Sequence, residues 1–474
     1  MIKFEAQTQK LKIDILSKIA TFAFEGKRID QQIINQIVLD LCPGPKAKYY
    51  GDLETERTII TKIISILLDS KNENIIHVIK EACNRCPDDG YFISKSCQGC
   101  VAHKCQCACP KQAITIGHDG KALIDKSKCI NCGLCAKACP FNAIINRQRP
   151  CLSACAIKTM GMDQGKYAQI NKNNCVNCGA CLNACPFDAI IDSSQIVDVI
   201  NLLVNKVKNQ KVYAIIAPAI ASQIPGVSIS QFAAAIKGLG FDVVAEAAIG
   251  ADMVATNESK ELVEKKLLTS SCCPAFVKYV KKFHPSLINN ISHNLSPMAA
   301  LGQYICSQNP NAVCVFIGPC TAKKMESQWE TVKKYVPFSL TFVELIAMLQ
   351  AKNIDLFKAQ STDLYTGSYF GRIFARCGGL SEAVVQALKE QNINDFVVNG
   401  VAYSGLNECA RVVTEIEQKK SDKNFVEGMC CVGGCIGGAG SLTHNAATKF
   451  SINIAAKTSD SQTIKQSLEK NVKK

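Results

Sequence analysis

Three short segments of the C-terminal half, TSSCCPAF (269–276), GPCTAKKME (318–326) and EGMCCVGGC (427–435), carry cysteines far apart in the chain. Short cysteine repeats close clusters locally. Cys273, Cys320, Cys431 and Cys435 can meet only if three distant segments fold around one buried metal centre, which fixes how more than 150 residues must be threaded. Such enclosure is how a protein holds a reactive cofactor and controls access to it.

The chain has 474 residues, 47% of them hydrophobic and 20% charged, enough for about three domains of roughly 150 residues with real cores. Its 28 cysteines would suggest a disulfide scaffold in a short secreted protein. Here the chain is long and MIKFEAQTQKLK holds no apolar signal stretch, so reduced thiolates that bind metal in an anaerobic cytoplasm fit better. YAIIAPAIA (213–221) falls well short of the ~20 residues that cross a bilayer, so no membrane span is expected. The net charge of +14 comes from scattered lysines without interleaved aromatics. That argues against a nucleic-acid surface and for an acidic protein partner or a solvated exterior.

Residues 1–80 repeat apolar side chains at spacings of three and four, as in IDILSKIATFAF and IITKIISILLDS, which predicts amphipathic helices. Residues 81–195 hold 17 cysteines and little hydrophobic periodicity, so clusters rather than a large apolar core must organise them. From about 200 to 460, KVYAIIAPAIA and NAVCVFIGPC read as buried strands, and QFAAAIKGLGF, ESKELVEKKLL and ELIAMLQAKN as helices of an α/β domain. Residues 461–474 read as a basic, frayed helical tail. The fold class predicted is a multidomain α+β and α/β chain.

The strongest local signals are Cys129-x2-Cys132-x2-Cys135-x3-Cys139-Pro140 and Cys175-x2-Cys178-x2-Cys181-x3-Cys185-Pro186. Three thiolates within seven residues wrap one 4Fe-4S cube, and the fourth, before proline, turns to a neighbouring cluster. Zinc sites instead pair two C-x2-C knuckles across a gap. A looser unit, Cys97-x2-Cys100-x4-Cys105-x3-Cys109-Pro110, contains Cys107 as a non-ligand, and Cys83-x2-Cys86 and Cys151-x3-Cys155 are half-motifs. With Cys107 aside, sixteen cysteines remain, the number that four cubanes require. One pairing crosses 97–109 with 129–139 and shares 83, 86, 151 and 155 with 175–185. If the half-motifs are core or zinc cysteines, only two or three clusters exist.

The three C-terminal segments resemble the signature motifs of the iron-only (FeFe) hydrogenases, and the likeness runs from the ferredoxin-like region to about 445. The 97–109 unit and PCLSAC resemble the clostridial-type branch. The resemblance implies a C-terminal domain that holds a six-iron H-cluster, a cubane joined to a two-iron unit carrying carbon monoxide, cyanide and azadithiolate. It implies Cys273, Cys320, Cys431 and Cys435 as cubane ligands, with Cys435 shared, and the 431–435 spacing predicts both thiolates on one helix face. Lys323 matches a lysine that donates to a cyanide, and Glu326 an acidic residue beside it. Ala217, Pro218, Ser296, Pro319, Phe374 and Met429 match pocket-lining positions. Cys272 matches a proton-shuttling thiol in a path through a water, Glu258, Ser292 and Glu261 to solvent near Lys265. Gly318, Met298, Cys377, Phe276 and SLTH (441–444) depart from the better-known pattern, which alters polarity and bulk near the two-iron unit. Cys42, Cys306, Cys314, Cys409 and Cys430 read as small buried apolar residues.

The activity implied is interconversion of hydrogen with protons and electrons, the electrons passing through accessory 4Fe-4S clusters to or from a ferredoxin-like acidic carrier. Maturation proteins would supply the two-iron unit. A hydrogen sensor that keeps the H-cluster and an iron–sulfur assembly scaffold are the competing readings. No signalling appendage is evident for the first. The second resembles this chain but generally lacks the shuttle thiol and a two-iron unit, and Cys272, Glu258, Glu261 and Lys323 argue against it.

Overall fold

The computed structural model describes residues 4–69, 74–84, 86–87, 89–164, 167–445 and 447–472. The N-terminal periodicity becomes three helices, Gln7–Phe24, Gln31–Leu41 and Leu53–Leu68. Asp30 and Asp52 start the second and third by accepting from the backbone N–H of Ile33 at 3.0 Å and of Thr55 at 2.8 Å. Leu11, Ile15, Leu16 and Ile19 form one buried face of the first helix. That face packs on the helix Phe342–Ala351, so one apolar core runs from the N-terminal helices into the C-terminal half.

The cysteine-rich region is built from short hairpins such as Ile114–Ile116 with Ala122–Ile124 and Met160–Asp163 with Tyr167–Ile170. The helices Leu134–Ala138 and Ala180–Ala184 carry the third cysteine of each strong motif. Ahead of them, Asn131 and Gly133 (φ 54° and 79°) and Asn177 and Gly179 (φ 57° and 78°) take left-handed conformations. Two such residues per loop curl the backbone around its thiols, and Asn and Gly are the residue types that tolerate this.

The C-terminal half holds seven strands among the described residues: β1 (Lys211–Ile216), β2 (Val243–Glu246), β3 (Leu268–Thr269), β4 (Ala312–Gly318), β5 (Phe338–Thr341), β6 (Gly400–Ser404) and β7 (Phe425–Met429). One sheet has the order β2-β1-β4-β5 and the other β3-β7-β6, and both are wholly parallel. Helices cover them, which is why β1 and β4 read as continuous apolar runs. Parallel sheets present ligand-binding loops at the carboxyl ends of their strands. Ala217 and Pro218 follow β1, the 271–273 cysteine segment follows β3, Pro319 and Cys320 follow β4, and Cys430 and Cys431 follow β7.

The mixed helix and sheet architecture is the one predicted. One expectation is corrected. The tail is not frayed over Ile464–Asn471, because Thr463 and Gln466 form a capping box and Ile464 buries itself with Ala251, Ala255 and Leu262. Residues 473–474 of the predicted tail lie outside the described residues. No helix among the described residues is long and apolar enough to cross a membrane.

Candidate metal centre and proton relay

The carboxyl ends of both sheets enclose a cavity of about 90 Å³ lined by Cys272, Cys273, Cys320, Cys431 and Cys435 together with Lys323. The three distant segments do converge. Ala217, Pro218, Pro319, Phe374 and Met429 line the cavity as predicted, whereas Ser296 does not. Its backbone begins the helix Pro297–Gln308, whose Pro297 and Met298 take the lining position, and its hydroxyl is buried without a hydrogen-bond partner among the described residues.

The one-helix-face expectation for Cys431 and Cys435 is also corrected. Cys431 sits in the turn after β7 and Cys435 opens a short 3-10 helix, because Gly433 (φ 85°) and Gly434 (φ 96°) lie between them. A Cβ on Gly434 would stand 2.6 Å from the backbone nitrogen of Cys377, so only glycine brings these chains together here. Gly318 has a similar explanation. The ring of Phe316 would lie 2.5 Å from any Cβ at 318 and itself lines the cavity, filling space that a larger residue at 318 would take.

Burial pushes the Cys320 and Cys435 thiols up to about 12, with the negative charge of neighbouring cysteines adding to it. Cys273 moves the other way, to about 6, first because the Cys430 side chain hydrogen-bonds to it and then because backbone N–H groups donate to it. A pocket that disfavours free thiolates invites a metal to replace their protons. Among the described residues no three Cys, His, Asp or Glu side chains approach closely enough to hold a single ion. One tetrahedral zinc would draw its sulfurs to within roughly 4 Å of each other. Four thiols standing around an apolar void fit a cluster.

Lys323 is buried and reaches Glu326 at 2.5 Å and the backbone carbonyl of Cys272 at 3.3 Å. Burial opposes its charge, and Glu326 outweighs burial, so the lysine stays cationic at the cavity wall. Glu258 is fully buried, and one carboxylate oxygen accepts from the N–H and hydroxyl of Ser271, both at 3.2 Å. Its other oxygen is buried and has no hydrogen-bond partner among the described residues. Burial raises this carboxyl to about 7. The Ser292 hydroxyl donates to Glu261 at 3.0 Å, and Lys265 pairs with Glu261 at 2.7 Å. Burial pushes the Glu261 carboxyl upward, but Lys265, the His293 N–H and Ser292 together hold it below its usual range. Of the predicted order, Ser292, Glu261 and Lys265 are joined by direct bonds, and Glu258 stands near enough to Cys272 for its charge to raise that thiol, without a hydrogen bond between the two among the described residues. Sequence reasoning missed Ser271, whose two bonds hold Glu258. Its place beside Cys272 was the available signal.

The accessory cysteines also sort themselves. Cys109 lines one small cavity with Cys129, Cys132 and Cys135, and Cys105 has Cys100 and Cys139 as charged neighbours. Cys155 shares a second cavity with Cys175, Cys178 and Cys181, while Cys151 faces Cys185, Cys83 and Cys86. Cys97 packs in the same small apolar group as Cys105, Cys109 and Cys139. Cys107 is exposed.

Residues 210–439 match the family model described as the iron only hydrogenase large subunit, C-terminal domain, and residues 122–145 and 168–191 match the 4Fe-4S binding domain. Iron hydrogenase 1 of Clostridium pasteurianum is 27% identical over 255 residues, covering 44% of this chain and 44% of that protein. The periplasmic Fe hydrogenase large subunit of Nitratidesulfovibrio vulgaris is 27% identical over 294 residues, 50% of this chain and 70% of that one. The match therefore spans less than half the length of the clostridial relative. A solved FeFe-hydrogenase structure from Chlamydomonas reinhardtii has 19% identity and a TM-score of 0.48, covering 59% of this chain and 92% of that chain.

Proposed function

This chain belongs to the iron-only hydrogenase family, with 4Fe-4S domains ahead of the large-subunit domain, and from that premise we propose that it interconverts hydrogen with two protons and two electrons in the cytoplasm. The convergence of Cys273, Cys320, Cys431 and Cys435 on one apolar cavity carries the reading. These four thiols would hold the cubane of the H-cluster, and the two-iron unit, delivered by maturation proteins, would supply the redox site where hydrogen is split or formed. Lys323 places a fixed cation at that wall and Glu326 keeps it there. Ala217, Pro218, Pro319, Phe374 and Met429 exclude water. Cys272 and Glu258 move protons, and Ser292, Glu261 and Lys265 connect Glu258 with solvent.

Sixteen accessory cysteines would hold four cubanes, in the sets 97, 100, 105 and 139; 129, 132, 135 and 109; 83, 86, 151 and 185; and 155, 175, 178 and 181. The last set shares a wall with the cavity of Cys273 and Cys320, and cysteines of the first two pack together in a separate small apolar group. An infrared spectrum of the matured, anaerobically purified protein, taken beside a hydrogen-evolution assay with reduced viologen, tests the reading. Carbonyl and cyanide bands with turnover are expected. Bands without turnover would overturn catalysis, and no bands after verified maturation would overturn the H-cluster.

Glu258, at about 7, is half protonated near neutrality. Hydrogen evolution needs its proton and uptake needs its carboxylate, so evolution should fall and uptake rise as pH increases through about 7. Glu258→Gln should remove both inflections from the kcat profiles.

The electron carrier would dock at the clusters of the first two sets. Cys132 is exposed there, and Val101 (94% exposed) and Ile130 (57%) sit next to cluster cysteines. Between 95 and 137 the sequence holds seven lysines, all exposed, against two aspartates. An apolar contact beside the cluster with a cationic surround suits an acidic protein. Reversing Lys104, Lys128 and Lys137 to glutamate together should raise the KM for an acidic ferredoxin about tenfold or more at low salt. Steady-state assays with that carrier, beside assays with viologen, check this.

A further inference from the structure

Glu261 uses its two carboxylate oxygens in different directions. One accepts from the Ser292 hydroxyl at 3.0 Å and from the Asn294 side-chain amide at 2.9 Å. The other accepts from Lys265 at 2.7 Å and from the His293 N–H at 3.0 Å, and it lies 3.5 Å from Nδ1 of the His293 ring. The Glu261 side chain is only 12% exposed, whereas that of His293 is 77% exposed, so water reaches the imidazole far more freely than the carboxylate. Lys265 stands at the same exit, but its ammonium also donates to the carbonyls of Asn289 at 2.9 Å and Ile291 at 3.3 Å, which with Glu261 engages all three of its protons. Nε2 of His293 is 3.4 Å from that ammonium. An N–H at Nε2 would set one donor against another, so the neutral ring carries its proton on Nδ1, toward Glu261. The ring also borders a cavity of about 400 Å³ whose wall includes the polar side chains of Asn257, Asn294, Gln303 and Thr331. Lys334 and Tyr335 are the other titratable groups on that cavity, and no carboxylate lines it.

On the reading that Glu261 belongs to the proton relay, we propose that the His293 imidazole is the group through which the relay exchanges protons with solvent. For hydrogen evolution, a water or buffer acid in the polar cavity gives a proton to Nε2, the Nδ1–H bond breaks, and that second proton passes to the near oxygen of Glu261. The ring is left neutral with its proton on Nε2. Release of that proton to water and uptake of another at Nδ1, or rotation of this exposed side chain, restores the starting form. Uptake of hydrogen runs the same steps in reverse. Imidazole suits the task because it exchanges protons near neutral pH and has two nitrogens that can act in turn. The adjacent Lys265 ammonium disfavours a lasting imidazolium, so a proton passes through the ring rather than resting on it. No carboxylate in the cavity competes with the ring for the arriving proton.

The test compares matured wild-type protein with His293→Ala, His293→Gln and Glu261→Gln, with total iron measured in each and hydrogen evolution driven by reduced viologen in weak buffer. Both His293 variants keep the backbone N–H that holds Glu261, and the side chain they alter is exposed, so their iron content should match wild type. Each should evolve hydrogen about tenfold more slowly, short of the roughly 10²–10⁴-fold of a group at the reacting atoms because water still reaches Glu261. Added imidazole should restore most of the rate of His293→Ala, which a side chain that only packs would not allow. If Glu261→Gln is slow, wild-type rates in both His293 variants overturn the proposal, and so does a loss in His293→Ala that imidazole leaves unchanged. Wild-type rates in Glu261→Gln and the His293 variants alike, or no turnover in the wild type, would instead mark failure of the relay reading itself.

Discussion

Replacing Cys272 with alanine is expected to leave iron loading of the cavity intact and to lower the proposed hydrogen turnover by about 10²–10⁴-fold. Cys272 lines the cavity beside Cys273, yet four other thiols already surround the site, so removing it costs no ligand. Burial raises its thiol well above the ordinary range, and the nearby Glu258 carboxylate adds to that. It therefore stays protonated and can serve as a donor. Among the described residues its thiol hydrogen-bonds only to the Ser270 hydroxyl at 3.9 Å, a weak contact that leaves the S–H free to point at the cavity. The acceptor proposed for that proton is Glu258, which among the described residues has a buried oxygen without a hydrogen-bond partner, and burial raises its carboxyl to about 7. If Cys272 and Glu258 act in series, as proposed, the double variant Cys272→Ala with Glu258→Gln should be about as slow as the slower single variant. Iron analysis and hydrogen-evolution rates on the three variants check this. Unchanged turnover in Cys272→Ala would falsify the thiol's role, and multiplied losses in the double variant would mean two separate routes.

The ferredoxin-like motifs were readable because three thiols within seven residues are a local signal of a cube. Cys109 lies beside 129–135 and Cys139 beside Cys105, positions that a proline after each fourth cysteine favours. The amphipathic N-terminal helices were readable for the same local reason. What was not readable depended on contacts between distant segments. Residues 431–435 look helical by spacing, but two consecutive left-handed glycines break the turn, and only the approach of the 376–377 backbone explains them. Ser271 looks like a linker residue until Glu258 arrives from another helix. Lys12 and Lys324 look like solvated lysines, since nothing in an amphipathic pattern marks a cation for burial. Both prove to be interior charges.

Lys324 supplies the largest expected stability effect, because Lys324→Met should destabilise the folded protein by about 3–5 kcal/mol. Its ammonium group is fully enclosed and donates to Asp192 at 2.7 Å, to the Ser193 carbonyl at 2.8 Å and to Glu344 at 3.0 Å, which uses all three of its protons. Lys12, from the first helix, pairs with the other oxygen of Asp192, and the Thr341 N–H and hydroxyl donate to Glu344 at 2.6 and 2.7 Å. Two cations thus face two anions where the N-terminal helices, the end of the ferredoxin-like region and the catalytic half meet. Burial opposes ionisation of Asp192, and the two lysines outweigh it, so its carboxyl lies well below the usual 3.8. A depressed carboxylate contributes stability that is present above the unfolded value and lost as pH falls through the folded one, so wild type should hold this contribution down to about pH 4. Methionine keeps the volume of Lys324 but strands Glu344 without a cation and leaves Asp192 with Lys12 alone. Lys12→Met should cost less, since Lys324 still reaches both acids. Adding Glu344→Gln to Lys324→Met should recover part of the loss by removing the stranded charge. Urea midpoints on iron-loaded protein at pH 7 rank the variants. Equal stability of Lys12→Met and Lys324→Met would show that the two lysines share the load, whereas no loss in Lys324→Met would mean the interior charges neutralise by taking up protons instead.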